Sequence, residues 1–166
     1  MNKLRMVIIC LAATIAAGVL FANVYTSVVD APNWGHDIPA SIEATRAYFS
    51  AANPGTFFRI FSPALQIVTL LALVLCWRVD RRVRYYLLAA LVFAVATDAM
   101  TFAYFYPRND IMFVNPVAGN VDAIRSAWSQ WSTMNWPRSA VVAIGLIFDF
   151  AALTRFVSRT AVGSGR

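Results

Sequence analysis

Four apolar runs, each long enough to cross a bilayer as a helix, constrain this chain more than any motif in it. A hydrocarbon core roughly 30 Å thick takes about 20 helical residues at 1.5 Å each. The runs cover about 5–29, 56–77, 85–106 and 137–157. In lipid, backbone N–H and C=O groups must be satisfied within the segment, so runs of this length read as helices. Only 13% of the 166 residues are charged, against roughly 25% in a soluble domain. The expected fold is an all-α integral membrane protein, a single domain over 1–166 built as a four-transmembrane-helix bundle. Outer loops 30–55 and 107–136 are each expected to carry one short amphipathic helix.

In the first run, Ala16-Ala17-Gly18 would pass as a signal-peptide cleavage site. The run is longer than a usual signal core, however, and small residues recur four apart, as helices in close contact require. It is read as a retained span. Pro32, Gly35 and Pro39 are expected to break regular structure, with Asp37 capping a short helix to about Ala52. Pro107 is expected to close the third span. Asn120 would then cap a surface helix to about Asn135, separate from a fourth span starting at Pro137.

Nine of the 14 basic residues fall in the N-terminus, the Arg78–Arg84 loop and the tail. By the positive-inside rule this puts both termini in the cytoplasm, in a multi-pass protein of the inner (plasma) membrane. The net charge of +6 is spread over short loops beside apolar runs, so it points to the lipid bilayer as partner rather than nucleic acid. A homo-oligomer or a membrane partner protein is also compatible with such a chain.

Carboxylates inside spans are costly and mark candidate sites. Asp98 is nine residues before Pro107 and Asp149 eleven after Arg138, so both are expected about 14–16 Å below the outer surface. Arg138, Val142, Gly145 and Asp149 share one helix face. A pocket beneath the tryptophans, with Arg138 at its mouth, would suit a small apolar aromatic ligand. The alternative is that these polar groups only fix helix packing. Trp34, Trp128, Trp131 and Trp136 are open to two readings, interface anchors or a stacking wall.

His36 with Asp30 and Asp37 could offer three metal ligands, but one histidine with two carboxylates is a weak set. No metal or other cofactor is expected. Cys10 and Cys76 read as small apolar side chains. No glycine-rich phosphate loop or Gly-x-Ser-x-Gly is present, which leaves nucleotide chemistry and serine hydrolysis without support.

Tyr106-Pro-Arg-Asn-Asp110 and Trp128-Ser-Gln-Trp-Ser-Thr-Met-Asn-Trp-Pro-Arg138 are similar to two conserved-type segments of a known group. The chain resembles the anthrone oxygenase-like family of small four-helix membrane proteins. That resemblance implies a four-helix bundle and, in characterised fungal relatives, oxygen-dependent oxidation of polyketide anthrones to anthraquinones. It carries over Asn109, Asp110, Trp131, Asn135 and Arg138. The family commonly has a histidine where this chain has Trp136, so the proton acceptor would have to be Asp98 or Asp110. The expected site is therefore Asn135 and Arg138 on an oxyanion and Asp98 or Asp110 as base. Trp128, Trp131, Trp136, Asn109 and Asp149 would line the substrate. The expected activity is that of a membrane oxidoreductase. A non-catalytic accessory subunit or small-ligand binder, and more remotely a proton-coupled carrier through Asp98 and Asp149, remain as alternatives.

Overall fold

The computed structural model describes residues 2–163, and side chains through Arg159. Five helices make up the fold: α1 (Asn2–Gly35), α2 (Ala40–Tyr48), α3 (Pro54–Cys76), α4 (Arg81–Phe113) and α5 (Val121–Gly163). All but α2 are long and apolar enough to span a membrane. The chain is thus an all-helical, multi-pass membrane protein. Its spans form a ring in the order α1–α3–α4–α5, each packed on its two neighbours.

Three helix ends differ from the sequence expectation, and all three involve proline. α1 does not stop near Pro32, nor α4 at Pro107. In each, one π-helical turn comes first, Thr26–Asp30 in α1 and Thr101–Phe105 in α4, and the helix then continues with the proline at its first positions. A π turn bonds one residue further back than an α turn: Ala31 N–H reaches Thr26 O, and Tyr106 N–H reaches Thr101 O. The shift in partners lets a residue without an N–H follow without a break. α5 likewise runs straight through Pro137, so the expected second surface helix is the upper part of the fourth span. Only α2 is a separate short helix in the outer segments. The link from α4 to α5 is the short stretch 114–120, turned at Gly119 with φ +77°, a left-handed conformation that glycine adopts freely.

The caps also differ. Asp37 does not cap α2; its N–H donates to the Ser41 hydroxyl, which in turn donates to Trp34 O at 2.6 Å. Asn120 donates to Pro116 O. α3 begins two residues earlier than expected, because Asn53 and Thr56 form a reciprocal capping box with Pro54 in the first turn.

The interior is split into two apolar clusters. One, at the end holding the 77–80 loop, packs Ile9, Ala72, Leu73, Cys76, Val83, Leu87, Ala152 and Phe156. The other, at the opposite or cap end, joins Trp34, Ile38 and Ile42 to Phe105, Met112, Ile124 and Trp131. Arg46 ties α2 into this cap by donating to Met112 O (2.6 and 3.0 Å) and Asn115 O (2.9 Å), carbonyls that the end of α4 leaves free. Between the two clusters lie the buried polar residues Asn23, Ser27, Thr97, Asn135, Arg138, Ser139 and Asp149.

Candidate functional site

Asn23 joins α1 to α5 at the level of the polar belt. Its Nδ2 donates to Ser139 Oγ at 2.7 Å, and its Oδ1 accepts from Arg138 Nη2. Its backbone carbonyl accepts from Asn135 Nδ2 at 3.1 Å and from Ser27 Oγ at 3.2 Å. Asn135 Nδ2 also donates to Ser27 Oγ, and Ser139 Oγ to Asn135 O at 2.9 Å. Polar contacts of this kind hold helices together in lipid, each contributing roughly 0.6 kcal/mol on average. Asn135 is therefore fully buried against α1 and lines neither cavity described below. Its expected role on an oxyanion is corrected to holding the helix that carries Arg138. Asn23 was legible only as an interruption of an apolar run; the signal was there, since a buried amide in a span needs a partner.

Arg138 is 6% exposed. Its guanidinium lies 3.9 Å from the centre of the Phe105 ring, 5.7 Å from Trp131 and 5.6 Å from Phe58. Aromatic faces attract a cation, more strongly where water is excluded. Among the described residues the ion pairs are those of Asp80 with Arg155 and Arg159, so no carboxylate neutralises Arg138 by contact.

Two cavities meet at Arg138. The upper one, about 570 Å³, lies under the cap and is lined by Trp34, Arg46, Phe58, Asn109, Asp110 and Trp131, among others. Small-molecule sites typically enclose roughly 300–1,000 Å³. The lower one, about 140 Å³, sits in the centre of the ring between Asn23, Phe58, Asp98, Phe102 and Val142. Thr26 borders the upper cavity and Thr101 borders both; each is the first residue of a π turn, a feature frequent at functional sites. Asp98 is held by Gln66, which donates to Oδ2 at 2.6 Å. Arg138 and Asp98 thus face one cavity without touching as an ion pair.

The other expected site residues divide. Trp131 lines the upper cavity, edge-on to Trp34 (5.1 Å) and Phe105 (5.5 Å). Asn109 and the exposed Asp110 line its rim, on the part of α4 beyond Pro107. Trp128 does not line it. Its indole N–H donates to Ala31 O at 2.7 Å, and its ring covers Gly35, where a Cβ would fall 2.1 Å from ring carbons. Trp136 is 52% exposed on the outside of α5, so it faces away from both cavities. Proximity to Trp131 in sequence was misleading, because residues five apart on a helix lie on different faces.

Asp149 is a further correction. It borders, with Asp98, only a narrow crevice of about 20 Å³. Gly145 abuts Phe93 and Ala90, a register that sets Asp98 beside the level of Ser139 and Asp149 roughly 15 Å deeper at 1.5 Å per residue. The expected equal depth fails because α4 extends past Pro107, the point from which depth was counted. Asp149 is 2% exposed, and its buried Oδ1 has no hydrogen-bond partner among the described residues. His36 and Asp37 are exposed, and Asp30 does not join them: among the described residues no three His, Cys, Asp or Glu side chains come together.

This geometry defines a class: a small multi-pass membrane protein whose bundle is hollowed at one end around an arginine that touches no carboxylate among the described residues. The anthrone oxygenase family profile matches residues 57–148, more than half of the chain, covering all but the first three residues of α3, all of α4 and the Arg138 region. The chain belongs to the anthrone oxygenase family. No curated protein and no solved structure matches it.

Proposed function

We propose that this protein is a membrane-embedded oxygenase that oxidises a small, planar, hydroxylated aromatic of the anthrone type in the two-part cavity. The observation that carries this reading is the buried Arg138 guanidinium, facing both cavities with no carboxylate in contact. A phenolate or enolate oxygen would supply the missing negative charge through charge-assisted hydrogen bonds. Phe58 and Trp131 on the cavity walls offer ring faces and edges to a flat substrate, while the buried Phe105 ring backs the Arg138 guanidinium. Asp98, on the lower cavity wall and oriented by Gln66, is the base that removes a proton from the ring CH2. Asp110 at the rim is too exposed for that role and is assigned to substrate selection. The carbanion then adds O2 and loses water, so that CH2 plus O2 gives C=O plus H2O. The reaction balances without a further reductant, and no resident cofactor is assigned. On this reading the start of α1, the 77–80 loop and the lower end of α5, joined by Arg5 on Leu75 O and Arg155 on Asp80, face the cytoplasm by the positive-inside rule, with the cap on the far side of the inner (plasma) membrane.

The test is turnover of a polyhydroxylated anthrone by protein in lipid nanodiscs, followed by O2 uptake and quinone absorbance. Arg138→Gln should lower kcat/KM on the order of 10²–10³-fold, the usual effect of removing one oxyanion donor. A wild-type protein that binds anthrones but consumes no O2 would instead support a non-catalytic ligand binder. Trp136 favours that second reading, since it stands outside the cavities at the place of the family's usual histidine.

A further inference from the structure

The lower cavity has an unusual wall. Phe102 and Pro63 border it and are also exposed on the outer surface of the bundle, Phe102 by 63%. Arg59 and Tyr106 do the same one turn nearer the cap. All four belong to one seam of the ring, between the first turns of α3 and the π turn of α4. On the α1 and α5 sides the lining residues Val19, Asn23, Arg138 and Val142 are buried. The backbones agree: α3 packs along α1 and along α4 below Met100, but stands off from the π turn and from the helix above it. The α1–α5 seam is closed by the Asn23–Ser139–Asn135 bonds. The α4–α5 seam is closed by Gly145 on Phe93 and by Phe148 stacked at 5.8 Å on Phe93.

Phe102 lies 21 residues beyond Arg81, roughly 31 Å along the helix. The seam therefore opens at the boundary between hydrocarbon, about 30 Å thick, and the headgroups on the cap side. Flat molecules with an apolar body and a polar edge collect at that depth, as indole and phenol side chains do.

Resting on the oxygenase reading for what is bound, we propose that the site loads sideways from the bilayer through this α3–α4 seam, with Phe102 as its outer door. The ligand class follows: a membrane-partitioned planar aromatic that slides in ring-first and meets Arg138 with its hydroxylated edge. The cap cavity is then the route by which O2 and product water, not substrate, exchange.

The test uses the full-length protein in liposomes and two photoreactive probes, iodonaphthyl azide dissolved in the lipid and a sulfonated aryl azide in the water. Labelled residues are read by mass spectrometry. The lipid-borne probe should mark Val19 and Val142, buried residues that line the lower cavity and the narrow crevice continuing below it. Phe102→Trp should cut that labelling several-fold, and Phe102→Ala should raise it, while Phe150 on the lipid face of α5 stays constant. Equal labelling of Val19 and Val142 in all three proteins would overturn the proposal, as would their labelling by the sulfonated probe alone. Neither result depends on turnover, so the seam can fail while the oxygenase reading stands, and the reverse.

Discussion

The two ends of the bundle treat their charges in opposite ways. At the 77–80 loop, Asp80 caps α4 through Arg82 and Val83 N–H and shares its other oxygen between Arg155 (3.0 Å) and Arg159 (3.2 Å). Arg84 rests over Trp77 and Tyr85, and Arg81 over Tyr85. Every one of these groups lies within reach of water. At the cap end, Arg138 and Asp98 are drawn into the bundle and kept apart across a cavity. Charges at the loop end are paired or exposed, whereas Arg138 and the half-buried Asp98 are held apart on a cavity wall, an arrangement that costs stability.

The comparison can be broken at several points. Asp98→Asn keeps an acceptor for Gln66 but removes the base. It should lower turnover by about 10²–10⁴-fold while the thermal midpoint in detergent holds or rises. A large drop in stability with turnover preserved would make Asp98 a packing group like those at the other end. Gly35→Ala should destabilise the cap by about 1–3 kcal/mol, because the new methyl overlaps the Trp128 ring, and should loosen ligand protection only as a consequence. The smallest effect belongs to Asp80. Hydrogen bonding from Arg155 holds its carboxyl down at about 2, below the usual 3.8. Its contribution is thus fully present above pH 4 and fades only as pH falls toward 2. Unfolding of Asp80→Asn and of the wild type should differ by a constant offset from pH 4 to 8 and converge below that. An offset that varied between pH 5 and 8 would mean a different group titrates there.

Much of this was legible from residue order. Four apolar runs implied four spans, and Arg138 with Trp131 pointed to the cap cavity. Asp98 was singled out by its cost alone, and it lies on the wall of the lower cavity. Errors came from local signals that tertiary structure overrides. Pro32 and Pro107 were read as stops and Pro137 as the start of a span, yet two follow π turns and the third sits inside a helix packed on both sides by α1 and α4. Trp128, Trp131 and Trp136 look alike in sequence, but one is a strut, one a wall and one faces lipid. Asn23 was passed over because a single amide in a long apolar run does not announce which of its atoms will bond.

Each π turn amounts to one surplus residue spliced into a helix. Everything beyond Asp30 or Phe105 is rotated by about 100° relative to the phase set below it. A helical wheel drawn for the membrane half of α1 or α4 therefore misassigns the inward face of the upper half. Trimming a single residue from either turn would restore regular pitch and swing Trp34 or Asn109 off the chamber they enclose.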